Sequence, residues 1–216
     1  MTKQFHQQLD ALKERVLDMG GLVRQNLLEA VKALVSMDAD LAAKVVQRGD
    51  MLNRTDVEIE RDALDLLALN QPVAQDLRTI GATLKIITYL DRIGRYGYDI
   101  AKVAQALHGK DHPRKPVAFQ VMADAGVRML DQALDAYKTR DAAKARAVNK
   151  QDDIVDGLDD EIFRQCVTYM MEDPRTITTC SHYILVARHL ERVADNANKI
   201  AEKALYMATG ERRLLV

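Results

Sequence analysis

The chain has 216 residues, of which 48% are hydrophobic and 29% charged, and its formal net charge at pH 7 is -1. This near-neutral charge excludes the basic excess of most nucleic-acid-binding proteins, and no apolar run approaches the roughly 18–20 residues of a membrane-spanning helix. With no Trp, 3 Phe and 4 Pro, the core must consist of Leu, Ile, Val, Ala and Met, a composition that suits helices.

The first half of the chain predicts three long helices. Apolar residues at intervals of about 3.5 predict a helix over residues 5–37 with a periodic apolar seam. Residues 38–40 supply a turn and a cap, and a second helix follows to about Leu69. Pro72 then breaks the chain because it lacks an N–H and restricts the residue before it. A third helix runs on to Leu107.

A linker is predicted at residues 108–116. This segment holds half of the chain's 4 prolines and no large apolar residue. We therefore predict two domains, at residues 1–108 and 109–216.

The second half repeats the pattern of the first. A shorter fourth helix is predicted over residues 117–138, with its apolar seam at Val121, Val127, Leu130 and Leu134. A fifth helix runs to about Met171. Pro174 breaks the chain as Pro72 does, and a sixth helix extends to Thr209, where Gly210 ends it.

An internal repeat supports this division. Residues 84–104 match residues 184–204, about a hundred positions later. The identical residues are Leu90, Arg92, Ile100, Ala101 and Ala104, which recur as Leu190, Arg192, Ile200, Ala201 and Ala204. Short connections make successive helices antiparallel neighbours. The predicted fold is therefore all-α, with six long antiparallel helices in two tandem three-helix bundles.

A candidate metal site lies in the second half. Glu191, Asp195 and Asn198 are spaced i, i+4, i+7, which puts three oxygen-bearing side chains on one helical stripe. The preceding helix carries Asp152 and Asp156 at i, i+4. Like charges this close are unfavourable unless they are solvated, protonated or neutralised by a cation. We expect these five residues to bind a divalent or ferric ion such as Mg, Mn, Fe or Zn. The alternative is a solvated acidic face, with Glu191 paired to a neighbouring arginine on the same helix.

The first half carries an altered copy of this constellation. It keeps the first acid of each pair, Asp50 and Asp91, but has Arg54 and Arg95 in place of the second, and Tyr98 in place of the amide. We expect two i, i+4 ion pairs here and no metal.

Other residues give weaker signals. Gly20 and Gly21 lie in a helical pattern and predict close helix contacts instead of a phosphate-binding loop. The tyrosines of the third helix predict packing, with an exposed interaction patch as the alternative. The histidines are expected to have packing or surface roles. The two cysteines are predicted to be free buried thiols in a cytoplasmic protein, because the N-terminus has no apolar signal core.

Taken together, these motifs resemble the PhoU family, the phosphate-signalling accessory proteins of bacteria. Its hallmark E(D)xxxD motif appears as LERVAD from Leu190 and, altered, as LDRIGR from Leu90. The QPVAQDLR segment at 71–78 and the YMMEDPRTI segment at 169–177 are also similar to family segments.

The resemblance implies regulation and no enzymatic activity. It implies a cytoplasmic negative regulator of phosphate uptake and phosphate-starvation signalling, which contacts the phosphate-transporter ATPase and a sensor histidine kinase. It also implies metal binding through the acidic motifs, a homodimer, and no membrane insertion or nucleic-acid partner. Two alternatives remain open: a carboxylate-bridged metalloenzyme in a helical bundle, and a purely structural helical scaffold.

Overall fold

The computed structural model describes residues 2–110 and 118–211, apart from the side chains of Lys150 and Asp152. These residues form seven α-helices and two short 3-10 turns, with no strand among them. In chain order the helices are α1 Lys3–Ser36, α2 Ala39–Asn70, α3 Ala74–Leu107, α4 Ala118–Thr139, α5 Ala142–Ala147, α6 Asp152–Glu172 and α7 Ile177–Thr209. The predicted all-α fold of two helical repeats is confirmed.

Local capping explains where the long helices begin and end. The hydroxyl of Thr2 accepts from the N–H of Phe5 at the start of α1, and the carboxylate of Asp38 accepts from Leu41 at the start of α2. Gly210 ends α7 in the left-handed conformation, with φ 76°, that glycine adopts at low cost.

The predicted fifth helix is interrupted. It is divided into α5 and α6 by a 3-10 turn over Val148–Gln151. Val148 is β-branched and Asn149 competes with the backbone for hydrogen bonds, so this stretch has low helix propensity. The apolar periodicity continues across the turn, and this is why the sequence predicts a single helix.

Four helices form a central bundle. Helix α1 contacts α3 and α4, and α7 contacts the same two helices, so that α1, α3, α7 and α4 close a ring. Helix α2 packs on α1 and α3 outside this ring, while α5 and α6 pack on α4 and α7 at the other side. Each half is thus a three-helix bundle, and the two bundles lie side by side.

The two halves run in opposite directions. Gly20 of α1 faces Leu134 of α4, and Arg24 lies 3.4 Å from Asp131. Residue numbers therefore rise along α1 while they fall along α4, so these two helices are antiparallel. The two proline breaks therefore lie at opposite ends of the molecule. Helices of 34 residues such as α1 are about 50 Å long, so these ends are well separated.

The predicted apolar seams are buried. The apolar residues that recur at helical spacing along α1, α3 and α7 are buried. Val121, expected in the seam of α4, is instead 51% exposed. Cys166 and Cys180 are buried free thiols, as predicted. The buried side chains of both halves form one continuous cluster, because the central ring contains helices from each.

The predicted linker falls largely outside the described residues. Helix α3 ends at Leu107 and α4 begins at Ala118, while residues 111–117 are not described. The domain boundary between residues 108 and 109 stays a prediction. No helix in the described ranges has the length and apolarity needed to cross a membrane.

Candidate metal site

The second-half site lies between α6 and α7. On the predicted stripe of α7, Glu191 has a side chain that is 16% exposed, Asp195 is exposed and Asn198 is buried. Leu190 and Val193 of the same helix pack into the core and fix this orientation. The stripe therefore combines one surface acid, one partly buried acid and one buried amide.

Helix α6 brings a second set of carboxylates to the same groove. Burial, followed by the charges of Asp195 and of neighbouring aspartates on α6, raises the pKa of Asp156 above its ordinary value. Burial also raises the pKa of Asp159, and Arg188 opposes that shift. The two predicted acidic stripes thus face one another. Asp152 begins α6, but its side chain lies outside the described residues.

Glu191 is a partly buried acid of the groove whose charge is affected by four neighbouring residues. Burial raises its pKa most; Arg188 lowers it, and Asp195, Asp159 and Asp156 raise it further. Its Oε2 lies 2.6 Å from Nη1 of Arg188 without hydrogen-bond alignment, so the contact is an ion pair only. This pairing is the one that the solvated-face alternative predicts, and an incoming cation would have to displace it.

The donor chemistry of the groove fits an oxygen-liganded ion. The buried Oδ1 of Asn198 accepts no hydrogen bond from any described group. A buried acceptor without a partner costs free energy, and a cation would supply that partner. Among the described side chains, which exclude Asp152, no group of three His, Cys, Asp or Glu residues is close enough to hold a metal ion. The metal site stays a prediction.

The corresponding groove of the first half lies between α2 and α3. It forms a pocket of about 370 Å³, lined by Asp50, Asp91, Arg95, Tyr98 and their neighbours. Arg95 lies 3.9 Å from Asp91, which confirms one predicted ion pair. Asp50 and Arg54 form no such pair in the described structure: both are exposed, and exposed pairs of this kind are worth little.

Sequence reasoning missed Asp56. Its pKa is raised by burial and then by Asp91 and Glu60, and its Oδ1 is buried without a hydrogen-bond partner. The comparison between halves gave no signal, since the position that matches Asp56 in the second half is Leu158. One sequence feature could have identified Asp56: it lies at helical spacing between Leu52 and Ile59, on the face of α2 that is buried.

Fold and grooves define an all-helical protein of two inverted three-helix repeats, each with an acidic groove. The family model described as "PhoU domain" matches residues 16–104 and 119–204. The chain therefore belongs to the PhoU family.

Curated relatives match almost end to end. The chain is 38% identical over 207 residues to a protein of Rhizobium meliloti named "Phosphate-specific transport system accessory protein PhoU homolog", covering 95% of this chain and 87% of that protein. A protein of the same name from Clostridium acetobutylicum is 33% identical over 214 residues, covering 98% of each.

Solved structures agree with this assignment. The crystal structure of PhoU from Pseudomonas aeruginosa superposes with a TM-score of 0.90 at 36% identity, covering 96% of this chain and 100% of that one. The phosphate transport system regulatory protein PhoU from Streptococcus pneumoniae gives a TM-score of 0.88 at 27% identity, with coverages of 97% and 99%.

Proposed function

We propose that this protein is a negative regulator of phosphate uptake and of phosphate-starvation signalling. The observation that carries the proposal is its similarity, over 95% of the chain, to a protein named as an accessory protein of the phosphate-specific transport system. The regulator acts by contact with the phosphate-transporter ATPase and a phosphate sensor histidine kinase. It works in the cytoplasm as a homodimer and catalyses no reaction of its own.

Deletion of the gene in its native host tests this role. Phosphate-responsive genes should stay on when phosphate is plentiful, and a plasmid copy should restore repression. Transcript levels of those genes, with and without phosphate, give the measurement. Normal repression in the deletion strain would contradict the proposal.

The regulator also binds a metal ion in its second half. Asp152, Asp156, Glu191 and Asp195, with Asn198, would hold the ion, which is Mg, Mn, Fe or Zn. When bound, the ion neutralises the facing carboxylates and links α6 to α7. The raised pKa values of Asp156 and Glu191 support this, because burial and then the charges of neighbouring carboxylates disfavour the ionised forms, which a cation would stabilise.

Two rival functions have less support. A carboxylate-bridged metalloenzyme of the helical-bundle type uses Glu-x-x-His motifs, and the sequence contains none. A purely structural scaffold with a solvated acidic face leaves the buried, unpartnered oxygen of Asn198 without a reason.

Removing two carboxylates tests the metal site. Glu191→Ala with Asp195→Ala should abolish binding of Mn²⁺ in titration calorimetry and lower the metal content of the purified protein, because two of four charged ligands are lost. The matched control is Asp10→Ala with Glu14→Ala, an exposed acidic i, i+4 pair on α1. Equal Mn²⁺ affinity in the parent and the groove variant would place the site elsewhere.

A further inference from the structure

The seam between α3 and α7 joins the halves on the face that lies between the two acidic grooves. The rings of Tyr96 and His189 stack there, with centroids 5.6 Å apart and planes inclined by 25°. A Cβ on Gly210, just after α7, would lie 3.7 Å from the guanidinium of Arg78, near the start of α3. Residue numbers therefore fall along α7 while they rise along α3, so the two helices are antiparallel.

This register sets Arg92 opposite Arg192. Arg92 lies four residues before Tyr96, and Arg192 lies three residues after His189. On antiparallel helices the two positions thus differ by one residue, or about 1.5 Å along the axis. Both arginine side chains are exposed. The guanidinium carbon of Arg92 lies 5.7 Å from the ring centre of Tyr89, a distance that allows a cation–π contact.

Neither of these arginines forms an ion pair within the part of the chain that the structure describes. The nearest motif acids are paired with other arginines: Asp91 lies 3.9 Å from Arg95, and Glu191 lies 2.6 Å from Arg188. Two cations that face each other across a seam repel unless water or an anion compensates them. The seam therefore presents two guanidinium groups, and no described carboxylate forms an ion pair with either of them.

An aromatic and an apolar residue lie on the same seam as these charges. Leu185, one turn before His189 on α7, is 53% exposed. Protein interfaces are enriched in arginine and tyrosine at their centres, where planar groups bury much area at low cost in conformational entropy. The seam lies on helices of 34 and 33 residues, both of which bury residues along their length.

We propose that this arginine seam, defined as Tyr89, Arg92, Leu185 and Arg192, is a docking surface for an acidic segment of a partner protein. The inference builds on the proposed role as an adaptor that works by contact. Charge complementarity selects the partner: glutamate or aspartate carboxylates accept two parallel hydrogen bonds from each guanidinium. Leu185 and Tyr89 lie on opposite sides of the two arginines along the helix axis, so apolar side chains at two separate positions of the same segment pack on them.

Fluorescence anisotropy with a defined probe tests the seam. The probe is a fluorescein-labelled peptide of Glu, Leu and Ala, compared with a second peptide in which every Glu is Gln. The parent should bind the Glu peptide, and added salt should weaken binding. Arg92→Glu with Arg192→Glu should weaken it roughly tenfold or more, since each attraction becomes a repulsion.

A second double variant controls for net charge. Arg128→Glu with Arg164→Glu makes the same charge change on exposed positions of α4 and α6, away from the seam. It should keep the parent's affinity within about twofold. The conservative variant, Arg92→Lys with Arg192→Lys, keeps the charge but loses the planar fork. It should bind with intermediate affinity.

Several outcomes would overturn the inference. These are failure of the parent to bind the Glu peptide, equal affinity for the Gln peptide, and equal loss in both Glu-substituted variants. Unchanged affinity in the lysine variant would remove the role given to the guanidinium fork. Displacement of the peptide by millimolar inorganic phosphate from the parent would assign a small-anion site in place of a docking surface.

The peptide measurement requires neither the transporter nor the kinase. If peptide binding depends on the two arginines while the deletion strain represses normally, the seam stands and the proposed function fails. If the deletion strain loses repression and the seam variant binds like the parent, the proposed function stands and the seam fails.

Discussion

At the scale of single residues, the two grooves balance carboxylate charge with differently placed arginines. In the first half Arg95 approaches Asp91 from one turn after it, and in the second half Arg188 approaches Glu191 from one turn before it. Arg95 stands where the second-half motif has Asp195, whereas Arg188 lies before that motif and replaces none of its acids. A cation entering the second-half groove competes with a flexible, 55% exposed side chain and still finds Asp195 and Asp156 available.

Asp56 carries an electrostatic cost that titration should reveal. Its pKa is raised in the folded protein, so the folded state holds the proton more tightly than the unfolded state does. Its charge therefore destabilises the fold at neutral pH. That cost disappears as the pH falls through the raised folded value towards the ordinary aspartate pKa of about 4.

Asp56→Asn should therefore stabilise the protein at neutral pH. The expected gain is about 0.5 kcal/mol, kept small because the side chain is partly exposed and solvent screens the repulsion. The gain should shrink as the pH falls to about 4. Urea unfolding followed by circular dichroism at several pH values gives the measurement, with Asp65→Asn on the exposed side of α2 as control. A gain that is independent of pH would contradict the electrostatic cause.

At the scale of helices, adjacent glycines of α1 have opposite roles. A Cβ on Gly20 would lie 2.3 Å from Cδ1 of Leu134, so α1 and α4 approach closely there. A Cβ on Gly21 would meet nothing within 4 Å. The sequence predicts close contacts for both, and the prediction is confirmed for Gly20 only.

Alanine at each position should separate these roles. Gly20→Ala should lower the free energy of unfolding by about 1–3 kcal/mol, because Leu134 must leave its place in the core. Gly21→Ala, which adds helix propensity without a contact, should raise it by about 0.5–1 kcal/mol. Thermal unfolding followed by circular dichroism measures both. If the two variants were equally stable, the close contact between α1 and α4 would be refuted.

The repeat and the helical periods made most elements predictable from the sequence. The seam of α1, the proline breaks and the end of α7 at Gly210 all depend on residues near in sequence, and local propensity decides them. The prediction of one undivided fifth helix was wrong because its apolar periodicity continues through Val148 and Asn149. The electrostatic effect of Asp91 on Asp56 depends on how α2 and α3 pack, which periodicity does not encode.

At the scale of the whole molecule, the inverted packing of the halves could not be predicted from the sequence. Two three-helix repeats can sit parallel, antiparallel or apart, and the repeat pattern is the same in each case. The structure selects the antiparallel arrangement through Gly20 with Leu134 and Tyr96 with His189. In this arrangement one acidic groove lies on each side of the arginine seam. A cation bound in the second-half groove would raise the positive potential of this face and so favour an acidic partner.

The shared core should make the two halves unfold together. The hydroxyl of Tyr137 on α4 lies 2.6 Å from the buried hydroxyl of Thr83 on α3, which also donates to the carbonyl of Thr79. Burial raises the pKa of Tyr137 to about 12, so the phenol stays neutral and donates to Thr83 at any ordinary pH. This bond connects the first half to the second inside the common cluster.

Tyr137→Phe should thus destabilise both halves equally. The lost hydrogen bond is worth about 0.5–1.5 kcal/mol, and Thr83 keeps its bond to Thr79. Hydrogen exchange followed by mass spectrometry should show the slowest amides of α1 and α3 losing as much protection as those of α4 and α7, since they open in one cooperative unit. Tyr98→Phe, at a half-buried surface position, is the control and should leave the slowest amides unchanged. Loss of protection confined to α4 and α7 would mean that the halves unfold independently despite their shared core.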